Sequence, residues 1–187
     1  MNAMAVGQRM TASEYLAHEF DEIRSELVAG EVVVEEPLAL HQIVVMELLV
    51  ALHAWAGQEP GRGVVSMPLD VKLDERNVVG PDLMWYVEGC GPSREDDRPY
   101  PVPDLAIEVR SAATWRYDIG AKKAAYERAG LPELWLVDTA ADEVLVFRRS
   151  AARAAWFDVS LELPAADELG SPLLPGFALL LGGLFGA

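Results

Sequence analysis

The segment PDLAIEVR, residues 103–110, predicts the central element of the fold. Its apolar content predicts a buried β-strand, in which alternate side chains point to opposite faces. Leu105, Ile107 and Val109 then share one face, while Glu108 and Arg110 share the other. A buried glutamate is rare without a partner, so Glu108 is either a functional residue or one half of an ion pair.

Two segments around this strand carry further charged groups. Residues 78–86, VVGPDLMWY, form a second apolar run that predicts the strand carrying Asp82, and Pro81 confines the run to a strand end or an edge. Residues 117–129 predict a helix with a lysine on the face that should meet the sheet. The predicted stripe of this helix consists of Ile119, Lys122, Tyr126 and Ala129.

Carboxylates on two neighbouring strands favour a divalent cation site. Magnesium commonly takes one or two protein carboxylates, with waters and phosphate oxygens completing its shell. A bound cation lowers the pKa of a water molecule and stabilises charge in phosphodiester cleavage. Asp104 also follows a proline, but it lies about 13 Å from Glu108 along one strand. Asp82 is therefore the better second ligand, because it comes from a different strand.

The order of these motifs resembles the Uma2 family of endonucleases, within the PD-(D/E)XK nuclease superfamily. The resemblance extends over most of the chain and implies a restriction-endonuclease-like fold, with Asp82 and Glu108 as ligands of Mg²⁺ or Mn²⁺ and DNA as the substrate. The matching motifs are Pro81-Asp82, Glu108-x-Arg110, Asp118-x-x-x-Lys122-x-x-x-Tyr126, Gly130-x-x-Glu133, the segment 26–31, His41-Gln42 and the segment 174–177.

The chain departs from the superfamily pattern at one position. The usual lysine two residues after the glutamate is Arg110 here, and arginine stays protonated and cannot act as a base. The helix residue Lys122 resembles the family's replacement for that lysine. The expected site therefore has Asp82 and Glu108 on the metal with the Val109 carbonyl, Lys122 positioning water or stabilising charge, and Arg110 holding phosphate.

Length and composition favour one domain. The 187 residues, 51% of them hydrophobic, suffice for a full core, so we expect a single α/β domain over residues 4–187, with a mixed sheet flanked by helices. Residues 1–3 resemble a cloning remnant. The single Cys90 cannot form an intramolecular disulfide, and no charged-then-apolar signal segment opens the chain, which predicts a reducing cytoplasm.

The net charge of −15 argues against a general nucleic-acid-binding surface. Between positions 104 and 128, however, the sequence has five basic residues and four acidic ones. The site can therefore be locally positive, and we expect weak or transient DNA binding. The alternative is a non-catalytic protein-interaction module that retains the nuclease fold. The apolar tail at 177–185 is too short to cross a membrane. It predicts packing on the domain or on a second copy, which favours a homodimer.

Four further polar residues are expected to have structural roles. Glu26 is expected to be a solvated strand carboxylate, and His41 to hydrogen-bond a neighbour rather than a substrate. Ser111 and Thr114 could bind phosphate or cap the next helix, and capping is expected. The Gly- and Pro-rich loop at 88–101 lies between the two acid-bearing strands, and we expect it to be an exposed rim of the cleft.

Overall fold

The structure is a computed structural model that describes residues 9–18 and 24–186. The expectation for residues 1–3 lies outside these ranges. The strands are β1 Ser25–Val28, β2 Glu31–Val34, β3 Val64–Ser66, β4 Val71–Asp74, β5 Asn77–Val79, β6 Leu83–Tyr86, β7 Leu105–Val109, β8 Glu133–Asp138, β9 Glu143–Arg148, β10 Val159–Pro164, β11 Glu168–Leu169 and β12 Leu179–Leu180. The helices are α1 Ala12–Leu16, α2 Ala39–Ala56, α3 Trp115–Tyr117, a π-turn Asp118–Lys122, α4 Lys123–Ala129 and α5 Leu181–Phe185.

A six-stranded main sheet in the order β10-β9-β8-β7-β6-β3 forms the centre of the fold. Strands β7 and β8 are parallel, with the α3 to α4 segment as their crossover, and the other neighbours are antiparallel. Strands β2-β1-β5-β4 form a smaller sheet. This architecture confirms the expected mixed sheet flanked by helices.

The two faces of the main sheet belong to two separate cores. Leu105, Ile107 and Val109 pack with helix α2 on one face, as their alternation along β7 predicts. Ala106 of the same strand packs on the other face, in a core that contains Tyr126 of α4. All five residues of β7 are buried, so Glu108 lies inside the protein.

Helix α2 covers the first face with only one of its own sides. Val44, Leu48 and Leu52 are fully buried against the sheet. With a mean hydropathy of 1.5, α2 is long and apolar enough to cross a membrane. Core helices of soluble proteins meet the same criterion of length and composition. Its outward side still exposes large apolar residues, namely Leu40, Ile43, Met46 and Val50.

The apolar tail packs on its own domain. Phe177, Leu181 and Leu184 are buried in the core under α2, and the ring of Phe177 stacks on Trp135 with centroids 6.0 Å apart. The tail therefore takes the first of the two packing arrangements that its sequence allowed. The apolar surface on which the homodimer was based is therefore largely internal and no longer supports it. The homodimer stays a prediction.

The apolar run at 78–86 is divided between two sheets, so the prediction of one strand is wrong. Strand β5 belongs to the small sheet and β6 to the main sheet. Pro81 lies between them, where it removes a ladder donor and ends the pairing. Asp82 therefore lies at the junction of the two sheets.

Candidate active site

A small cavity lies at this junction, about 10 Å³ in volume, which is roughly the space for one water molecule. Asp82, Glu108, Val109 and Lys122 all line it. Four of the five residues expected to form the site are thus brought together. Glu108 lies on β7 as the sequence predicts, whereas Asp82 directly precedes the neighbouring strand β6 instead of lying within it.

Asp82 is held by three donors. Its Oδ2 accepts hydrogen bonds from the Val109 backbone N–H at 2.8 Å and from His41 Nε2 at 3.1 Å. Its Oδ1 accepts one from Arg24 Nη2 at 3.0 Å. Burial would raise the pKa of Asp82, but His41, Arg24 and the Val109 amide outweigh it and hold that pKa below its usual value. Asp82 is therefore an ionised carboxylate.

His41 forms the neighbour contact that its sequence position predicts. It is buried near the start of α2, and its second ring nitrogen, Nδ1, has no hydrogen-bond partner among the described residues. The imidazole also lines the cavity. His41 thus orients Asp82 and leaves one nitrogen free beside the space where a ligand would bind.

Glu108 is held by two groups from the crossover helix. Tyr126 donates its hydroxyl to Glu108 Oε1 at 2.6 Å, and Lys122 Nζ lies 2.8 Å from the same oxygen. Burial raises the pKa of Glu108 well above its usual value; Lys122 lowers it and Glu26 raises it further. Both contacts use Oε1, which leaves the lone pairs of Oε2 available to a ligand.

Lys122 is 2% exposed and lies among three carboxylates. Its Nζ is 2.8 Å from Glu26 Oε2, 2.8 Å from Glu108 Oε1 and 3.1 Å from Asp118 Oδ1. All three contacts are ion pairs. Burial would lower the pKa of Lys122, but the three carboxylates outweigh it and raise that pKa well above its usual value. Lys122 is therefore a fixed positive charge and not a base.

The expected helix at 117–129 is present but contains the π-turn. A π-turn is wider than an α-turn and is common at functional sites. Here it places both Asp118 and Lys122 inside the protein, with exposures of 2% each. The predicted stripe is wrong for Ile119, which is 48% exposed, because the wider turn changes which residues face the sheet.

The expectation for Glu26 is wrong. It is 1% exposed, accepts a hydrogen bond from the Gly80 backbone N–H at 2.7 Å, and pairs with Lys122. Glu26 lies on β1, which pairs with β5, so the small sheet carries it to the same junction as Asp82. The motif at 26–31 marked this residue, whereas the general exposure of glutamate pointed the other way.

Arg110 turns away from the cavity. Its Nη1 donates to both oxygens of Asp138, at 2.7 and 2.8 Å, and its guanidinium lies 5.4 Å from the centre of the Trp115 ring. Glu108 is thus paired with Lys122 rather than with Arg110. Asp104, the other proline-preceded aspartate, accepts from the Val87 N–H and does not line the cavity.

We expect Arg110→Met to leave metal affinity unchanged and to lower the free energy of unfolding by about 1 kcal/mol or less, because its ion pair is partly exposed. Manganese calorimetry and urea denaturation would check the two parts. A rise in KM for DNA without a change in metal affinity would restore the phosphate-holding role expected from the sequence.

Two residues of the site carried no signal in the sequence. Arg24 bonds Asp82 and also lies with its Nε 2.5 Å from Glu35 Oε2. Burial raises the pKa of Glu35 to about 8. The charge of Glu26 also raises this pKa, whereas the charges of Lys122 and Arg24 lower it. Both residues lie at the margins of the hairpin, outside any regular pattern, so only the fold reveals them.

Ser111 and Thr114 line the cavity, and the capping prediction is wrong in part: Thr114 is the N-cap residue of α3, but its side chain makes no capping hydrogen bond. Ser111 Oγ instead accepts from the Thr114 N–H at 3.2 Å, which forms a local turn. Thr114 donates its hydroxyl to Asp118 Oδ2 at 3.2 Å. The turn therefore also holds one of the carboxylates that surround Lys122.

The donor set fits a divalent cation. No three His, Cys, Asp or Glu side chains are arranged to hold a metal ion within residues 9–18 and 24–186. Magnesium nevertheless needs only one or two carboxylates, which Asp82 and Glu108 provide at one cavity. Four acidic residues line the cavity, Glu35, Asp82, Glu108 and Asp118, against a single lysine, Lys122, among the described residues. A cation would relieve this excess of negative charge.

Comparisons with known proteins bear on the family and the fold. The model of the Uma2 family, described as "Putative restriction endonuclease", matches residues 12–182. A crystal structure of "a putative nuclease belonging to DUF820" from Anabaena variabilis superposes with a TM-score of 0.78 and 16% sequence identity. That match covers 95% of this chain and 98% of the other, so the fold is the same. No curated protein matches the chain.

Proposed function

Because the chain belongs to the Uma2 family, we propose that it is a metal-dependent endonuclease that hydrolyses DNA phosphodiester bonds. A nuclease function in general terms follows from the family. The observation that carries the finer proposal is the convergence of Asp82 and Glu108, from neighbouring strands, on one cavity. Two carboxylates at one point are the minimum that magnesium needs from a protein.

Each residue of the site has a separate part in the proposed reaction. Asp82, Glu108 and the Val109 carbonyl would hold Mg²⁺ or Mn²⁺, which supplies an acidified water and neutralises phosphate charge. His41 and the Val109 amide fix the orientation of Asp82, and Tyr126 fixes Glu108. Lys122 stays protonated, so it stabilises negative charge that develops on the substrate.

The alternative is the protein-interaction module, and the net charge of −15 is the observation that favours it. A surface of this charge repels DNA, and affinity for phosphate backbones comes mainly from Lys and Arg. A module of this kind would keep the fold but would not need a metal. Metal binding therefore separates the two functions.

Calorimetric titration of manganese into the purified protein tests the proposal. We expect binding by the parent protein and loss of binding by an Asp82→Ala, Glu108→Ala double variant. The matched control is Glu47→Ala, Asp167→Ala, which removes the same charge from two exposed positions and should still bind. Absence of binding by the parent, even with DNA present, would favour the interaction module.

A further inference from the structure

Each oxygen of Asp82 already accepts at least one hydrogen bond in the arrangement described above. Oδ2 takes two donors, and one of them, the Val109 N–H, belongs to a central strand that cannot move away. Among the described residues, Oδ1 accepts from Arg24 alone, at 3.0 Å. A cation that binds Asp82 therefore competes most directly with Arg24, because both are positive and both need Oδ1.

Arg24 has partners that would keep it close by after such an exchange. Its Nε lies 2.5 Å from Glu35 Oε2, and its Nη2 also donates to the Gly80 carbonyl at 3.0 Å. These contacts do not involve Asp82. A guanidinium pushed from Asp82 by a second positive charge would thus remain at the edge of the site.

Arg24 also faces the surface, unlike the rest of the site. Its side chain is 32% exposed, against 5% for that of Asp82. It lines an open cleft of about 550 Å³ whose wall also includes Tyr100 of the loop at 88–101. Arg24 therefore lies between the buried carboxylate and the space through which a large substrate would approach.

We propose that Arg24 exchanges binding partners. It neutralises Asp82 when no metal is bound, and it binds a phosphate of the DNA backbone when a divalent cation takes its place at Asp82. This inference rests on the proposed function. The planar guanidinium suits a phosphate because it offers paired donors in a fixed geometry. Arg24 is thereby a positioning residue for the substrate, in the role that the sequence assigned to Arg110.

The test compares manganese affinity and DNA cleavage in Arg24→Met. Removal of the competing charge should tighten manganese binding by on the order of tenfold, measured by calorimetry without DNA. The KM for DNA should rise by a similar factor while kcat changes less, because phosphate binding is lost. An exposed arginine, Arg128, supplies the control: Arg128→Met has the same charge change but no contact with Asp82, and should shift neither value.

Arg24→Lys separates the contact from the charge and covers the case in which Arg24→Met does not fold. Lysine keeps the positive charge but cannot span Asp82 and Glu35 at once. Manganese affinity should therefore still rise, by less than in Arg24→Met. Unchanged or weaker manganese binding in the folded variants, with binding intact in the parent, would overturn the proposed exchange at Arg24 and leave the proposed function standing. Absence of binding in the parent would overturn both.

Discussion

Asp82→Asn is expected to lower the rate of DNA cleavage by about 10³-fold, the scale seen when one group that stabilises the transition state is removed. The substitution keeps the size of the side chain and removes its charge, which is the property that a divalent cation requires. One oxygen can still accept from the Val109 amide, so β6 and β7 should stay in register. Nicking of supercoiled plasmid DNA in the presence of magnesium would measure the loss.

The matched control is Asp104→Asn. Asp104 also follows a proline and directly precedes β7, but its carboxylate accepts from the Val87 N–H and does not line the cavity. Cleavage by this variant should remain within about threefold of the parent, since no charge is removed from the site. Equal losses in the two variants would contradict the assignment of Asp82 as the metal ligand.

Lys122→Met is expected to lower the free energy of unfolding by about 3–5 kcal/mol. The substitution leaves the carboxylates of Glu26, Glu108 and Asp118 without the cation that they share, while all three remain buried. The free energy of unfolding of a native protein is only about 5–15 kcal/mol, so this variant should be close to unfolding. Urea denaturation followed by the fluorescence of the five tryptophans would measure it.

The adjacent Lys123 provides the control. Its Nζ lies 4.4 Å from the centre of the Phe147 ring at the domain surface, so Lys123→Met should cost about 1 kcal/mol or less. The double variant Lys122→Met, Glu108→Gln should recover part of the lost stability, because one of the unpaired charges is removed as well. A loss for Lys122→Met no larger than that for Lys123→Met would show that the buried cluster does not depend on its lysine.

The local pattern of the sequence is sufficient to place Glu108. Side chains on a strand alternate strictly, so the apolar residues of β7 fix which face carries the glutamate, whatever the rest of the fold does. The stop at Gly130 is local in the same sense: the helix ends there in a left-handed residue with φ of 86°, which glycine adopts without strain. Such features depend on backbone geometry over a few residues.

The family motifs extended that prediction to Asp82 and Lys122, but they did not show what these residues contact. The partner of Glu108 is Lys122 and not Arg110, although Arg110 is only two residues away. The choice depends on the crossover helix and its π-turn, which aims Lys122 inward. Propensity and periodicity describe an ordinary α-helix and contain no signal for the wider turn.

The fold class and the strand that carries Glu108 can thus be predicted from the sequence, and the family resemblance adds Asp82 and Lys122 as candidate site residues. That Arg24, Glu26 and Glu35 lie beside them is visible in the folded chain alone. These residues come from the hairpin, more than forty positions before Asp82, and the pairing of β1 with β5 brings them to the junction of the sheets. The physical reason is that a buried charge is stabilised by whichever opposite charge the packing places beside it, and that choice is made between segments rather than within one.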